Sequence, residues 1–152
     1  LGTLPQQDAD AIKLQPPSKP AGMPNGSVKD QYNYAFNLVR TDYAQAEVAL
    51  KEFIAKHPND PLAGSAQYWL GETYYGRQDF QQAAVAFLTG YQKHSTSPKA
   101  PNSLLKLGLS LAKLGKKPEA CAALGRFSKE FPNAEETLKR SVVKERASLG
   151  CG

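Results

Sequence analysis

The chain has 152 residues, of which 41% are hydrophobic and 22% are charged, and its formal net charge is +5 at pH 7. This length suits a single domain, and because no apolar run approaches the ~20 residues that cross a bilayer, we expect no membrane span. Lysine and arginine are scattered, often beside Asp or Glu, instead of gathering on one face with interleaved aromatic residues, so we expect no nucleic-acid ligand. The positive excess can help recruit an acidic partner but does not identify one.

Residues 1–26 differ in composition from the rest of the chain. They hold five prolines and three glycines but few large apolar residues. Such a segment cannot bury enough surface to offset the entropy of ordering, which predicts a flexible, Pro/Gly-rich linker over 1–26. Because the first residue is Leu1 rather than Met, we expect a processed product or an excised piece with sequence missing upstream.

From Ser27 onward, the pattern predicts helices joined by short loops. Ser27 is a suitable N-cap for a helix that runs to about Arg40, and Asp30 follows it by three residues. Asp60-Pro61 and Ser97-Pro98 each predict a helix that starts at the proline. The helices predicted after the first cover about 43–56, 61–76, 80–94, 98–115, 117–130 and 134–149.

The middle of the chain has the residue spacing of a tetratricopeptide (TPR) repeat, which is a pair of packed helices. Leu70, Gly71 and Tyr74 match the first helix of such a pair, and Ala83 and Phe87 match the second. Gly71 and Ala83 are small, so the two helices are predicted to approach closely there. A helix pair of this kind cannot bury its apolar face alone, so similar neighbours are expected.

The same spacing recurs at a fixed interval along the chain. Ala46 precedes Ala83 by 37 residues, and Gly108 follows Gly71 by 37 residues. We therefore predict an all-α, right-handed TPR-like α-solenoid over 27–152, with three helix pairs and a C-terminal capping helix. The predicted repeats cover about 27–60, 64–97 and 101–134, and the capping helix covers about 134–149.

The first helices of the pairs line the concave surface of a TPR stack, which predicts a partner-binding groove. The groove lacks the Lys/Asn cluster that would clamp a terminal carboxylate, so an apolar-faced helix or an extended segment of a partner fits it better. Alternatively, Tyr68, Leu105 and Leu109 are interior packing residues. The predicted groove residues are Gln31, Ala35, Leu38, Tyr68, Glu72, Tyr75, Asn102, Leu105, Leu109 and Lys113.

The sequence contains no common catalytic motif. It has no P-loop, no G-x-G-x-x-G, no H-E-x-x-H and no G-x-S-x-G. His57 and His94 occupy equivalent places at the ends of predicted helices, which favours surface or helix-dipole roles. Glu72 has no second carboxylate at helical spacing to complete an acid–base pair. We therefore predict that the protein is not an enzyme and has no cofactor and no metal site.

Two cysteines, Cys121 and Cys151, fall on predicted helices that should run antiparallel, which brings Cys151 toward Cys121. In an oxidising compartment they could form a disulfide that closes a loop of about 30 residues and adds roughly 3–4 kcal/mol of stability in the chain-entropy model. The alternative is a buried, reduced Cys121 and a free thiol at Cys151. A catalytic thiol is not expected, since no histidine is positioned to activate one.

Three strings of residues give the chain a more specific resemblance. Over about residues 30–149, it resembles the C-terminal TPR domain of the Tol-Pal system family YbgF, also called the CpoB cell division coordinators. The strings are Ala66-Gln67-Tyr68-Trp69-Leu70-Gly71-Glu72, Ser97-Pro98-Lys99-Ala100-Pro101 and Leu105-Lys106-Leu107-Gly108. The two cysteines are not a general mark of this family, so the disulfide stays an inference from this chain.

The resemblance implies a periplasmic, non-enzymatic adaptor of Gram-negative bacteria. Such an adaptor binds TolA and helps to couple outer-membrane constriction to septal peptidoglycan synthesis by a penicillin-binding synthase. In this family the Pro-rich lead follows an N-terminal coiled-coil trimerisation segment. That coiled coil is missing here, so this piece alone is expected to be monomeric.

Two other functions stay open. One is another exported TPR scaffold, such as an outer-membrane assembly lipoprotein, which a lipidated N-terminal cysteine in the full gene would favour. The other is a small thiol redox protein that uses Cys121 and Cys151. A reducible cysteine with a low pKa would favour that second function.

Overall fold

The computed structural model describes residues 22–152, which contain helices, turns and loops but no strand. Residues 1–21 of the predicted linker lie outside the described residues. None of the helices in the described part is long and apolar enough to span a bilayer. In chain order the helices are α1 (Val28–Leu38), α2 (Tyr43–Lys56), α3 (Ala63–Gly76), α4 (Phe80–Lys93), α5 (Ala100–Lys113), α6 (Lys117–Gly125), α7 (Phe127–Glu130) and α8 (Glu136–Leu149).

Short polar side chains cap the N-termini of several of these helices. The Ser27 hydroxyl accepts the backbone N–H of Asp30 at 3.1 Å, and the Asp30 carboxylate accepts the backbone N–H of Ser27 at 3.2 Å. This reciprocal pair is a capping box, which confirms Ser27 as the N-cap of α1. Asp42 and Asp79 cap α2 and α4 in turn, each by accepting a backbone N–H three residues later.

Two predicted helix starts are wrong. α3 begins two residues after Pro61, and α5 begins two residues after Pro98. The side chains of Asp60 and Ser97 instead accept the backbone N–H two residues later, which closes a turn ahead of each helix. Asp and Ser stabilise such turns as well as helix N-termini, so the residue type alone does not separate the two.

The predicted helix over 117–130 is interrupted at Arg126, where α6 ends and α7 begins. Gly125 precedes the break, and glycine is a weak helix former, about 1 kcal/mol less favourable than alanine in a helix interior. The capping helix α8 starts at Glu136, two residues later than predicted. The C-terminal ends of α1, α4 and α5 fall one or two residues before the predicted ends.

The helices pack as successive pairs: α1 with α2, α3 with α4, and α5 with α6. Each pair contacts the next, and the first helices α1, α3 and α5 also contact one another in order. Within the described residues, no such contact joins α2 to α4 or α4 to α6. The stack therefore curves with α1, α3 and α5 on its inner side, as expected for an α-solenoid, and α8 closes it against α5, α6 and α7.

Glycine lets the paired helices approach at the positions that the repeat predicts. A Cβ added at Gly71 would meet the ring of Phe87 at 2.5 Å, and one added at Gly108 would meet the side chain of Leu124 at 2.5 Å. Both partners are fully buried. The close approach of α3 to α4 is therefore repeated by α5 and α6 with a shift of 37 residues. The side chain that fills the space beside Gly71 is that of Phe87, which the repeat pattern assigned to the second helix of the pair.

The C-terminal end is fastened covalently. A disulfide joins Cys121 of α6 to Cys151, which follows α8. Of the two states left open by the sequence, this is the one that the structure contains. On α8 itself Val142 is buried and Leu138 is half-buried, whereas Val143 is 69% exposed.

Candidate partner-binding surface

Partly exposed aromatic rings line the inner side of the stack. Phe36 of α1 meets Trp69 of α3 with ring centroids 4.9 Å apart, and Trp69 meets Tyr68 at the same distance. Further along, Tyr75 meets Phe80 at 5.1 Å. Four of these rings are half-buried and Tyr68 is buried beneath them. We call these five residues the inner aromatic surface.

Three lysines from α5 and its N-cap lie over these rings. The Nζ atom of Lys99 is 5.3 Å from the ring centroid of Tyr68 and 5.5 Å from that of Trp69. Lys106 Nζ is 3.7 Å from the centroid of Tyr75, and Lys113 Nζ is 6.0 Å from that of Phe80. These distances are in the range of cation–π interactions.

The three lysines form one row, which we call the lysine row. Lys99, Lys106 and Lys113 are seven residues apart, which is close to two helical turns, so they lie on one side of α5. Neighbouring members are spaced by about 10 Å along the helix axis. The row therefore presents positive charge at regular intervals beside exposed aromatic area.

Only the middle lysine is neutralised by a carboxylate among the described residues. Lys106 Nζ lies 2.9 Å from Glu72 Oε1, and the two side chains are 19% and 24% exposed. Glu72 Oε1 itself is shielded from solvent. Because the pair is partly desolvated and links α3 to α5, it helps to fix the position of one repeat on the next.

The phenols beside this ion pair are neutral at physiological pH. Burial raises the pKa of Tyr68 above its ordinary value of 10, and the Glu72 carboxylate adds to the shift. Burial also raises the pKa of Tyr75, helped by the negative charges of Glu72 and Glu145. The rings can therefore donate hydrogen bonds or make apolar contacts, but they carry no charge.

Five of the ten predicted groove residues expose part of their side chains on α3 or α5, and three are buried. Ala35 has no exposed surface, so it cannot contact a partner. Tyr68 and Leu105 are only 8% and 7% exposed, which favours the alternative role in interior packing. The partly exposed residues are Glu72, Tyr75, Asn102, Leu109 and Lys113.

The other two predicted groove residues, Gln31 and Leu38, lie on α1. The Gln31 side-chain amide donates to the carbonyl oxygen of Pro24 at 3.2 Å, and its own oxygen lies 2.8 Å from His57 Nε2. These contacts tie the start of α1 to the end of α2, so the polar atoms of Gln31 serve the fold. Leu38 is half-buried and packs against the core.

The sequence prediction missed five residues of this surface: Phe36, Trp69, Phe80, Lys99 and Lys106. Trp69 follows the predicted Tyr68 by one residue, and successive residues of a helix point about 100° apart, so a one-residue error in register changes the face. The signal that could have found the lysines is their seven-residue spacing.

A separate polar cluster joins the first repeat to the second. Glu47 of α2 accepts hydrogen bonds from the Tyr74 hydroxyl at 2.7 Å, from Arg77 at 2.9 Å and from Lys51 at 3.1 Å. Burial alone would raise the pKa of Glu47, but these three hydrogen bonds lower it to about 2. Glu47 is therefore an ionised structural anchor.

The described residues offer little for other chemistry. Among residues 22–152, no group of three or more His, Cys, Asp or Glu side chains is arranged to hold a metal ion. Both cysteines are in the disulfide. The candidate functional site in the described part of the chain is therefore the inner aromatic surface with its lysine row.

Comparison with known proteins agrees with the helical pairs. Two tetratricopeptide repeat models match the chain, one over residues 38–103 and one over residues 102–134, and together they cover more than half of it. Two proteins named cell division coordinator CpoB, one from Pseudomonas putida strain KT2440 and one from Pseudomonas putida, are each 40% identical to the chain over 67 residues. The match covers 41% of this chain and 25% of each relative, so it spans about a quarter of the length of the curated relatives.

Proposed function

The chain belongs to the tetratricopeptide repeat family, and from this premise we propose that it is a non-catalytic module that binds another protein. Its similarity to cell division coordinators supports a role in the Tol-Pal system of the bacterial envelope. In this role it binds TolA and helps to coordinate outer-membrane constriction with septal peptidoglycan synthesis by a penicillin-binding synthase.

The observation that carries this proposal is the inner aromatic surface. Aromatic residues are enriched in the centres of protein interfaces, where they supply large contact area at a low cost in side-chain entropy. Here Phe36, Trp69 and Tyr75 on the inner helices, and Phe80 at the start of α4 against Tyr75, remain half-buried. A partner that covers them completes their burial.

The disulfide supports a periplasmic location. Disulfides persist in oxidising compartments such as the bacterial periplasm and are rare in the reducing cytosol. Cys121 and Cys151 are paired. The pairing therefore fits the location implied by the cell division coordinators.

The test is to titrate the purified chain with the purified periplasmic part of TolA and to measure the affinity by isothermal titration calorimetry. Tyr75→Ala and Leu109→Glu remove apolar contact area from the inner side, and each should weaken binding about tenfold or more. Val85→Glu is the matched control, because Val85 is 59% exposed on α4, a helix of the outer side. It should leave the affinity unchanged.

The outcomes separate the parts of the proposal. Absence of binding between TolA and the wild-type chain would overturn TolA as the partner. Binding that both inner variants retain, or that Val85→Glu alone abolishes, would move the binding site to another surface. In either case, circular dichroism should first establish that each variant keeps the helical content of the wild type.

A further inference from the structure

Positive charge exceeds negative charge on the inner side of the stack. Arg40 lies over the ring of Phe36, with its guanidinium carbon 5.9 Å from the ring centroid, so it is a fourth cation beside the inner aromatic surface. The carboxylates that act on the same surface are Glu72, which pairs with Lys106, and Glu145 of α8, which acts on Tyr75. An approaching partner therefore meets a net positive surface.

The excess lies at the two ends of the lysine row. Among the described residues, neither Lys99 nor Lys113 forms an ion pair, whereas Lys106 is held by Glu72. Lys99 is partly exposed and Lys113 is exposed. Each is positioned over an aromatic ring, so its ammonium group is confined near the surface before a partner arrives.

The spacing of these charges matches that of a helix. Lys99 and Lys113 are 14 residues apart, which corresponds to about 21 Å along the axis of α5. A partner helix that lies alongside α5 presents residues i and i+14 on one face at the same distance. Between them, residues near i+7 would lie over Tyr75 and the neutralised Lys106, where an apolar side chain is favoured.

We propose that the inner surface binds an amphipathic α-helix of the partner that carries carboxylates about four turns apart, with apolar residues between them on the same face. This inference rests on the proposed function and names the chemistry of its partner. Salt links to Lys99 and Lys113 fix the register and direction of the partner helix, and its apolar centre covers Trp69 and Tyr75.

The probe is a synthetic helical peptide of about 20 residues, built on Ala and Gln. It carries Leu on one face and Glu at positions i and i+14 of that face. One control peptide has Lys in place of both Glu residues, and another has a central proline that breaks the helix. Trp69 is the single tryptophan of the chain, so its fluorescence reports binding at this surface, and calorimetry gives the affinity.

The acidic peptide should bind, and the Lys peptide should bind about tenfold more weakly or not at all. The proline peptide should also lose affinity, because it cannot present both carboxylates at the required distance. Raising the ionic strength should lower the affinity of the acidic peptide, since exposed charge pairs are screened by salt. Equal affinity of all three peptides, or failure of the acidic peptide to bind, would overturn the proposal.

A charge exchange tests the named lysines directly. The double variant Lys99→Glu/Lys113→Glu should lose affinity for the acidic peptide by about tenfold and gain affinity for the Lys peptide. The matched control is Lys93→Glu/Lys129→Glu, which makes the same change of net charge on exposed lysines of α4 and α7. If both double variants behave alike, the effect is one of net charge, and the assignment to the lysine row is wrong.

The same variants separate this inference from the proposed function. If TolA binds the wild-type chain and Lys99→Glu/Lys113→Glu equally well, the acidic helix is wrong while the Tol-Pal role stands. If TolA fails to bind but the acidic peptide binds with the expected charge dependence, the chemistry of the surface stands, and TolA is the wrong partner.

Discussion

Gln78 and Gly115 occupy the same place in successive repeats, 37 residues apart, and both adopt left-handed backbone, with φ of 62° and 74°. Each lies in the tight turn between the two helices of its pair, where a helix must reverse within three residues. Glycine adopts this conformation without steric cost, but a residue with a Cβ does not. The third repeat therefore has the better residue at this turn.

Replacing Gln78 by glycine should accordingly stabilise the protein. The left-handed conformation costs a residue with a Cβ about 1–2 kcal/mol, which glycine avoids. Glycine is also freer in the unfolded chain, and this entropy offsets part of the stabilisation. We expect Gln78→Gly to raise the free energy of unfolding by about 0.5 kcal/mol, measured by urea denaturation. The opposite exchange in the next repeat, Gly115→Gln, should lower it by about 0.5 kcal/mol for the same reasons. If Gln78→Gly lowered the free energy of unfolding and Gly115→Gln raised it, the left-handed residue of this turn would not be strained.

The contact between Gly71 and Phe87 makes a second prediction. Gly71→Ala places a Cβ 2.5 Å from a rigid, fully buried ring, so α3 and α4 must move apart, at a cost of about 1–3 kcal/mol. Gly108→Ala should cost less, because the buried Leu124 side chain that it meets is smaller than the Phe87 ring and can change its rotamer. A control is Gly125→Ala, which meets nothing closer than 4.0 Å and should be neutral or slightly stabilising. Thermal unfolding of the three variants should rank them in that order.

These glycines also show what the sequence could predict. The 37-residue interval relates Gly71 to Gly108. From this interval one can predict which helices pair and the order of the repeats along the chain. The interval carries this information because each repeat uses the same local contact. The antiparallel course of the last helices likewise brought Cys151 to Cys121, although only the structure decided between a disulfide and free thiols.

The surface was harder to predict, because it depends on how each helix is rotated about its own axis. Tyr68 and Trp69 are neighbours in the sequence, yet one is buried and the other half-exposed. The ion pair of Glu72 with Lys106 joins two repeats, so its residues are 34 positions apart and no local pattern links them. Turns such as the one closed by Asp60 shift a helix start by two residues, and that shift is enough to move a predicted boundary.

Loss of the disulfide should weaken the C-terminal end. The bridge joins residues 30 positions apart, and a loop of this length contributes about 3–4 kcal/mol in the chain-entropy model. Reduction, or Cys121→Ser together with Cys151→Ser, should lower the free energy of unfolding by that order. Amide exchange should speed up first in α8, which has Val142 as its one buried residue. The double variant must be insensitive to reductant; a further loss on reduction would mean that the disulfide is not the cause.

Glu47 gives the protein a dependence on acid pH. Its pKa is lowered to about 2 in the folded state, against an ordinary value of 4.5, so the folded state favours the carboxylate. Its contribution to stability is therefore complete above about pH 4.5 and is lost as the pH falls toward 2. Glu47→Gln should be less stable than the wild type at pH 6, and the difference should shrink steadily between pH 4.5 and pH 2.5 in denaturant titrations. Tyr74→Phe removes one hydrogen bond to Glu47. In the Tyr74→Phe background, Glu47→Gln should therefore lower the free energy of unfolding at pH 6 by less than it does in the wild type.

The last prediction concerns the charge that Glu72 neutralises. Glu72→Gln leaves Lys106 over the ring of Tyr75, 3.7 Å from its centroid, but removes the carboxylate 2.9 Å away. The fold should lose about 1 kcal/mol, since the pair is partly exposed and the cation–π contact stays in place. The freed charge should strengthen binding of a peptide with a third Glu at i+7 by about threefold, measured by calorimetry. Glu136→Gln is the control, because Glu136 is 75% exposed on α8 and should leave the affinity unchanged. Weaker binding by Glu72→Gln would mean that this carboxylate itself contacts the partner, so that the surface selects a basic residue at that position.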